Sequence, residues 1–186
     1  MKVIFSPILA FCLAITLFSC AAEEMQTETE ELKAANLVMY ETQDLVGIWD
    51  LVSMQSDVAI DLNGDNTSNT DILKETECFN LMAYDFKADG NVNTSQAKLH
   101  FNTSGITSCE KAEYSSTYTI DNDVLKVSFE DKNGITVNPG KQIRLTDNKQ
   151  MLHITLERVE ATAYIKSDSG NSTEVITKIT TIYKKR

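Results

Sequence analysis

From Leu45 onward the chain is divided into short runs of alternating side chains by clusters of turn-forming residues, and this punctuation constrains the fold more than any other feature. Val46, Ile48, Val52 and Met54 alternate with Gly47, Trp49, Leu51 and Ser53. Leu125, Val127 and Phe129 alternate with Lys126 and Ser128, and Leu152, Ile154 and Leu156 with His153 and Thr155. A period of two is the signature of a strand with one face buried. The breaks at Ala88-Asp89-Gly90, Asp121-Asn122-Asp123, Lys132-Asn133-Gly134, Asp147-Asn148-Lys149 and Ser169-Gly170-Asn171 carry the residue types that tight turns need. Strands are expected near 46–56, 79–87, 91–101, 114–121, 123–130, 140–147, 150–159 and 174–184. Eight short strands joined mainly by tight turns predict an all-β, antiparallel up-and-down barrel, because closure removes the exposed edges of such a sheet. Residues 45–186 have the size of one domain.

The N-terminus carries an address. Residues 1–19 combine Lys2 with an almost uncharged apolar run, Val3–Phe18, that is shorter than the roughly 20 residues a membrane-spanning helix needs, so a signal peptide is expected. It ends in Leu17-Phe18-Ser19-Cys20, which resembles the lipobox of bacterial lipoproteins, in which the cysteine thiol receives a diacylglycerol and becomes the mature N-terminus. That resemblance implies lipidation at Cys20 and a stable anchor, since two or more acyl chains hold a protein to a membrane where one does so only marginally. The expected location is the cell envelope, at the outer membrane, with the lipid facing either leaflet. The chain has 27 acidic and 17 basic residues. Loss of Lys2 with the signal leaves 16 basic residues and a net charge of −11, which argues against nucleic acid as a partner.

Residues 20–44 contain no glycine or proline and seven acids: Glu23, Glu24, Glu28, Glu30, Glu31, Glu41 and Asp44. Such a segment buries too little apolar surface to fold alone and reads as a solvated tether, in which Leu32, Ala35 and Met39 could form a short helix. An acidic cluster just after the lipidated cysteine also resembles a signal for display on the outer face of the outer membrane. Cys12 leaves with the signal and Cys20 takes lipid. Cys78 and Cys109 remain in an oxidising compartment, where a pair most simply becomes a disulfide.

"LVGIWDLVSM", Leu45 to Met54, resembles the first strand of bacterial lipocalin-like lipoprotein domains, where a Gly-x-Trp opens the barrel, here Gly47 and Trp49. The resemblance extends through "DILKETEC", "YDFKADGNV", "YTIDNDVLKVSF" and "TTIYKKR". It implies a lipocalin-like barrel in which a basic residue of the last strand, Lys184 or Arg186, packs on Trp49.

Catalytic residues are scarce. The two histidines, His100 and His153, each fall on an expected strand. No GxSxG, HExxH or glycine-rich phosphate loop occurs, and the pair Asp121 and Asp123 is explained by its turn. The acidic stretch "DLNGDNTSNTDILKETEC" begins like an EF-hand calcium loop. Asp61, Asn63 and Asp65 fill the first three ligand positions and Thr67 offers a carbonyl, but Ile72 occupies the place of the closing bidentate glutamate, for which Asp71 or Glu75 would have to substitute. The alternative is a solvated loop over a barrel mouth. Asn-x-Ser/Thr triplets at Asn66, Asn93, Asn102 and Asn171 read as turn-rich composition.

The expected function is non-catalytic binding of a small hydrophobic ligand inside the barrel. Trp49, Leu51, Phe86, Leu99, Phe101, Tyr118, Leu125, Val127, Phe129 and Ile154 would form its wall, or fill the barrel themselves. The alternative is a surface module presenting its acidic loop to a protein or glycan.

Overall fold

A computed structural model describes residues 39–102, 104–130, 136–137, 140–167 and 176–186, without the side chains of 129, 130, 136 and 137. The signal segment, Cys20, residues 20–38 of the tether, the turns at 132–134 and 169–171 and the Phe129 side chain therefore lie outside the described residues.

In chain order the elements are α1 (Thr42–Leu45), β1 (Gly47–Ile60), β2 (Asn69–Asp71), a 3₁₀ turn (Ile72–Lys74), β3 (Ala83–Phe86), β4 (Asn91–Asn102), β5 (Gly105–Asp121) and β6 (Val124–Glu130). They continue with β7 (Thr136–Val137), β8 (Gly140–Thr146), β9 (Met151–Glu157), α2 (Arg158–Tyr164), β10 (Ile165–Ser167) and β11 (Lys178–Lys185).

Eight of these strands form a closed antiparallel ring in the order β1, β3, β4, β5, β6, β8, β9 and β11, with β11 returning to β1. Each strand pairs with its predecessor in the ring, so the wall is an up-and-down meander. The closing register sets Trp49 opposite Lys185, Leu51 opposite Tyr183 and Ser56 opposite Ile179. A bulge between Leu51 and Ser53 turns Val52 out to solvent and returns Met54 to the buried face, so the alternation of β1 is interrupted once and then resumes.

The turns use the expected chemistry. Asn122, Asp147, Asn148 and Lys149 have φ between 50° and 64°, and Gly90 has φ 85°, all in the left-handed region where glycine and asparagine are least strained.

Three features were not foreseen. β5 begins at Gly105, well before the expected start at 114. β9 stops at Glu157 and gives way to α2, whose Ala161 is fully buried while Val159 is 83% exposed. β10 then adds to β4 in parallel, Ile165 beside Leu99 and Ser167 beside Phe101, along the upper part of β4 that β3 leaves unpaired. The packed chain also starts before Leu45. The Tyr40 amide donates to the Asn122 carbonyl at 3.1 Å, and the Leu145 amide donates to the Tyr40 hydroxyl at 3.0 Å.

Candidate functional site

Alternation along paired strands fixes which side chains enter the barrel. At the closed end Trp49 is fully buried, its Nε1 donating to the Leu45 carbonyl at 2.6 Å. Lys185, not Lys184 or Arg186, covers the ring, with Nζ 5.1 Å from its centre, and Nζ also donates to the Asp44 carbonyl at 3.3 Å. The correction follows from parity: Tyr183 points inward, so Lys185 does too, and its neighbours face out. Arg186 instead grips Asp50 from outside, Nε to Oδ2 at 2.6 Å and Nη2 to Oδ1 at 2.7 Å. That bond, with Arg186's charge, holds the Asp50 carboxyl below its ordinary range. Gly47 has φ 130°, and a Cβ there would come within 2.9 Å of Lys185 Cε. The glycine of Gly-x-Trp therefore serves both the backbone and the lysine packed above it.

The middle of the barrel is filled by its own side chains. Tyr84 stacks on Phe86 at 5.2 Å and meets Tyr183 edge-on at 5.1 Å, while Phe86 meets Tyr118 at 4.8 Å. Met54, Leu125, Leu152 and Ile154 complete this layer at 0–1% exposure, which leaves no room beside them for a ligand.

Above it lies a polar layer. The buried Tyr84 hydroxyl lies beside Gln96 and Tyr183, and the Tyr164 hydroxyl of α2 donates to Gln96 Oε1 at 2.9 Å. Burial raises the hydroxyl pKa of all three tyrosines, and those of Tyr164 and Tyr183 well above the ordinary value. Glu160, one turn earlier on α2, adds to the rise at Tyr164 and pairs with Lys141 of β8 at 2.5 Å. Beyond this layer the wall opens. Residues 106–115 of β5 are all exposed, including Ala112 and Tyr114, which share the inward parity of Tyr118. Tyr114 stands near enough to influence Tyr164.

Of the expected wall residues, Trp49, Leu51, Phe86, Tyr118, Leu125, Val127 and Ile154 have inward parity. Leu99 and Phe101 do not: with Ala97 they occupy the opposite face of β4 from Val92, Thr94 and Gln96. That face is covered by the 61–82 segment, bound there by the Cys78–Cys109 disulfide with Cα atoms 5.7 Å apart and Cys109 directly opposite Leu99. Leu62, Ile72 and Phe79 of this segment are fully buried and extend the one hydrophobic core beyond the barrel wall. A cavity of about 440 Å³ lies between this segment and the β4–β5 pair, lined by Cys78, Leu81 and Met82 on one side and by residues 95–97 and 111–113 on the other.

The acidic loop folds on itself. Asp61 accepts from the amides of Gly64 at 2.7 Å and Asn66 at 2.8 Å, Asn63 Oδ1 from Asp65 at 2.9 Å, and Asp65 Oδ1 from Thr67 at 2.7 Å. Asp71 is turned to β1, accepting from the Met54 amide and the Ser53 hydroxyl, each at 3.1 Å. Glu75 is buried and accepts from the Leu62 amide at 3.2 Å. Asp61, Asn63 and Asp65 therefore share a turn, while Asp71 is held apart from them. Among the described residues no group of three or more His, Cys, Asp or Glu side chains is placed to hold a metal ion. His153 has outward parity, with Nε2 2.9 Å from Thr146 Oγ1, and His100 Nε2 lies 3.9 Å from Glu110 Oε1.

Ring closure, a tryptophan-plugged end and a tyrosine-floored mouth define a small, internally filled β-barrel of the lipocalin type, open at one end. The sequence model of the lipocalin-like domain family matches residues 45–151, and the chain belongs to that family. No curated protein and no solved structure matches the chain. The structure carries the fold past the matched segment, since β11 is what closes the ring.

Sequence reasoning did not single out Tyr84, Gln96, Tyr164 and Tyr183. Tyr84 shares parity with Phe86, which was a readable signal; Tyr164 sits on a helix that alternation does not reveal.

Proposed function

We propose that this protein binds a small hydrophobic ligand with a polar end at the barrel mouth, without catalysing its conversion. The observation that supports this is the exposed inward face of β5 above a buried, hydrogen-bonded tyrosine floor. An apolar body would lie against Ala112, Tyr114 and Val127. A hydroxyl, amide or carboxyl group would reach Gln96, Tyr164 or Lys141. Pockets with apolar walls and a few convergent polar groups take ligands of this kind. Because the middle of the barrel is filled, the ligand stops at the polar layer and does not thread the barrel.

The test is titration with an environment-sensitive apolar dye, followed by displacement with a long-chain fatty acid and with the corresponding hydrocarbon. Saturable binding is expected, weakened about tenfold by Tyr114→Ala, a loss of roughly 1.4 kcal/mol. Tyr164→Phe should weaken the acid more than the hydrocarbon. Absence of saturable binding, or binding indifferent to Tyr114→Ala, overturns the reading.

The same proposal includes its setting: lipid at Cys20 holding the barrel to the outer membrane of a cell envelope, supported by the lipobox resemblance. Cys20→Ser should move the protein from the membrane fraction to the soluble one, and an unchanged distribution would end this part of the reading.

A further inference from the structure

The cavity outside the barrel wall lies between two ties. Cys109, Lys111 and Glu113 share one face of β5, and the residues paired with them, Leu99, Ala97 and Ser95, share the same face of β4. The end of the 61–82 segment lies against this face. At one end of the row the disulfide joins Cys109 to Cys78. At the other the Ser95 hydroxyl donates to the Leu81 carbonyl at 2.5 Å. The segment is thus fixed on either side of the central pair, Ala97 and Lys111, and the single methyl group of Ala97 is too short to fill the space between the ties. The opening is therefore set by the fold before any ligand arrives.

The lining is of two kinds. Met82 and Ala97 are buried and Leu81 is 70% exposed, and together with the disulfide they make an apolar floor and wall. Lys111 and Glu113, exposed and two residues apart, bring one cation and one anion to the rim.

We propose that this cavity is a second ligand site, separate from the barrel mouth, and that it takes a free α-amino acid with an apolar side chain. The α-carboxylate meets Lys111, the α-ammonium meets Glu113, and the side chain lies on Ala97 between Leu81 and Met82. Two strand residues advance about 6.5 Å, and an ammonium and a carboxylate borne on one carbon span that distance when each makes a charge-assisted hydrogen bond of about 2.8 Å. A ligand with a single charge matches only half of the rim, so the paired charges select the zwitterion. The volume, about 440 Å³, falls within the roughly 300 to 1,000 Å³ of small-molecule pockets and has room for an aromatic or branched side chain. Because the disulfide fixes one wall against the other, little ordering is required on binding.

The test is calorimetric titration of the detergent-solubilised full chain with L-phenylalanine, and with 3-phenylpropionate and phenethylamine, which keep the ring and one of the two charges. Saturable binding of phenylalanine is expected, with each analogue at least about tenfold weaker. Lys111→Met should weaken phenylalanine about tenfold and leave phenethylamine unchanged, whereas Glu113→Gln should weaken phenylalanine and leave 3-phenylpropionate unchanged. Both positions are exposed, where substitutions seldom disturb a fold. Ala97→Leu should fill the space and abolish binding; if that variant does not fold, the two rim variants still decide. Tyr114→Ala, which weakens dye binding at the mouth, should leave phenylalanine unaffected, so failure of one site is distinguishable from failure of the other. Absence of saturable binding up to about 10 mM phenylalanine overturns the proposal. So does an affinity indifferent to both rim variants, an analogue that binds as well as the amino acid, or displacement of mouth-bound dye by phenylalanine.

Discussion

The two ends of the barrel are built on opposite principles. At the Trp49 end every wall strand has two partners, the ring is buried under Lys185, and α1 and Tyr40 cover the outside. At the mouth the wall parts: β1 takes β2 and β4 takes β10, while among the described residues β6 pairs with β5 only from Thr117 to Asp121. Burial of apolar surface inside the ring holds the first end, whereas the second depends on a covalent tie, a polar layer and the apolar side chains of the 61–82 segment packed on β4. Stability is thus concentrated away from the region proposed to bind, as expected when binding surfaces come from the less stable parts of a fold.

Truncating the plug gives the sharpest test of that contrast. Trp49→Ala should cost about 3 to 5 kcal/mol, the range for removing a buried aromatic, and should unfold the whole barrel cooperatively in urea. If hydrogen exchange shows the mouth opening alone, the plug is not what holds the ring. Cys78→Ala with Cys109→Ala should cost about 3 to 4 kcal/mol on the chain-entropy model, with exchange accelerating first in the upper halves of β4 and β5. Uniform acceleration would erase the distinction between the two ends.

Alkali should act through the polar layer. Tyr84, Tyr164 and Tyr183 hold their protons more tightly folded than unfolded because burial disfavours the phenolate. Between the unfolded and folded pKa the native state therefore binds more protons, and stability falls as pH rises through about 10, by up to about 1.4 kcal/mol per pH unit for each group. Tyr183→Phe should flatten that decline while leaving its onset in place. An unchanged slope would remove Tyr183 from the layer.

In acid the sign reverses for Asp50, whose folded pKa is depressed by Arg186. Its contribution is present above the ordinary carboxylate value and is lost as pH falls through the folded one. Arg186→Ala should therefore move the acid-unfolding midpoint slightly upward, and the two proteins should converge at lower pH. The smallest effect is expected at the acidic loop. With Asp61, Asn63 and Asp65 already accepting from the loop's own amides and Asp71 bound to β1, millimolar calcium should leave the melting temperature unchanged. A rise that Asp65→Ala abolishes would establish a site there.

Much of the ring was legible because each wall strand in its lower half buries one face and exposes the other, and because Asn122, Gly90 and the 147–149 turn announce themselves chemically. The upper half of β5 was not, since "ITSCEKAEYS", Ile106 to Ser115, is exposed on both sides and so lacks alternation. β4 misled for a related reason. Its buried parity switches between Thr94 and Ala97 as the covering layer passes from the barrel interior to the 61–82 segment, so Leu99 and Phe101 read as barrel wall although they face away. α2 is too short to show a helical period, and its burial depends on a cross-barrel contact between Tyr164 and Gln96, 68 residues apart. The binding site inherits this pattern: the aromatic residues beneath it could be read, while its polar floor required the fold.

Ring closure also has a kinetic meaning. The strand that completes the wall meets β1 across 136 residues of chain, as the Asp50–Arg186 pair records. Contacts so distant in sequence form late and slow the search for the native state. Until β11 docks, β1 has one open flank and Trp49 lacks its lysine cover. A folding chain should consequently pass through a stage with an indole still accessible to water, and quenching of Trp49 fluorescence would mark the final event of assembly.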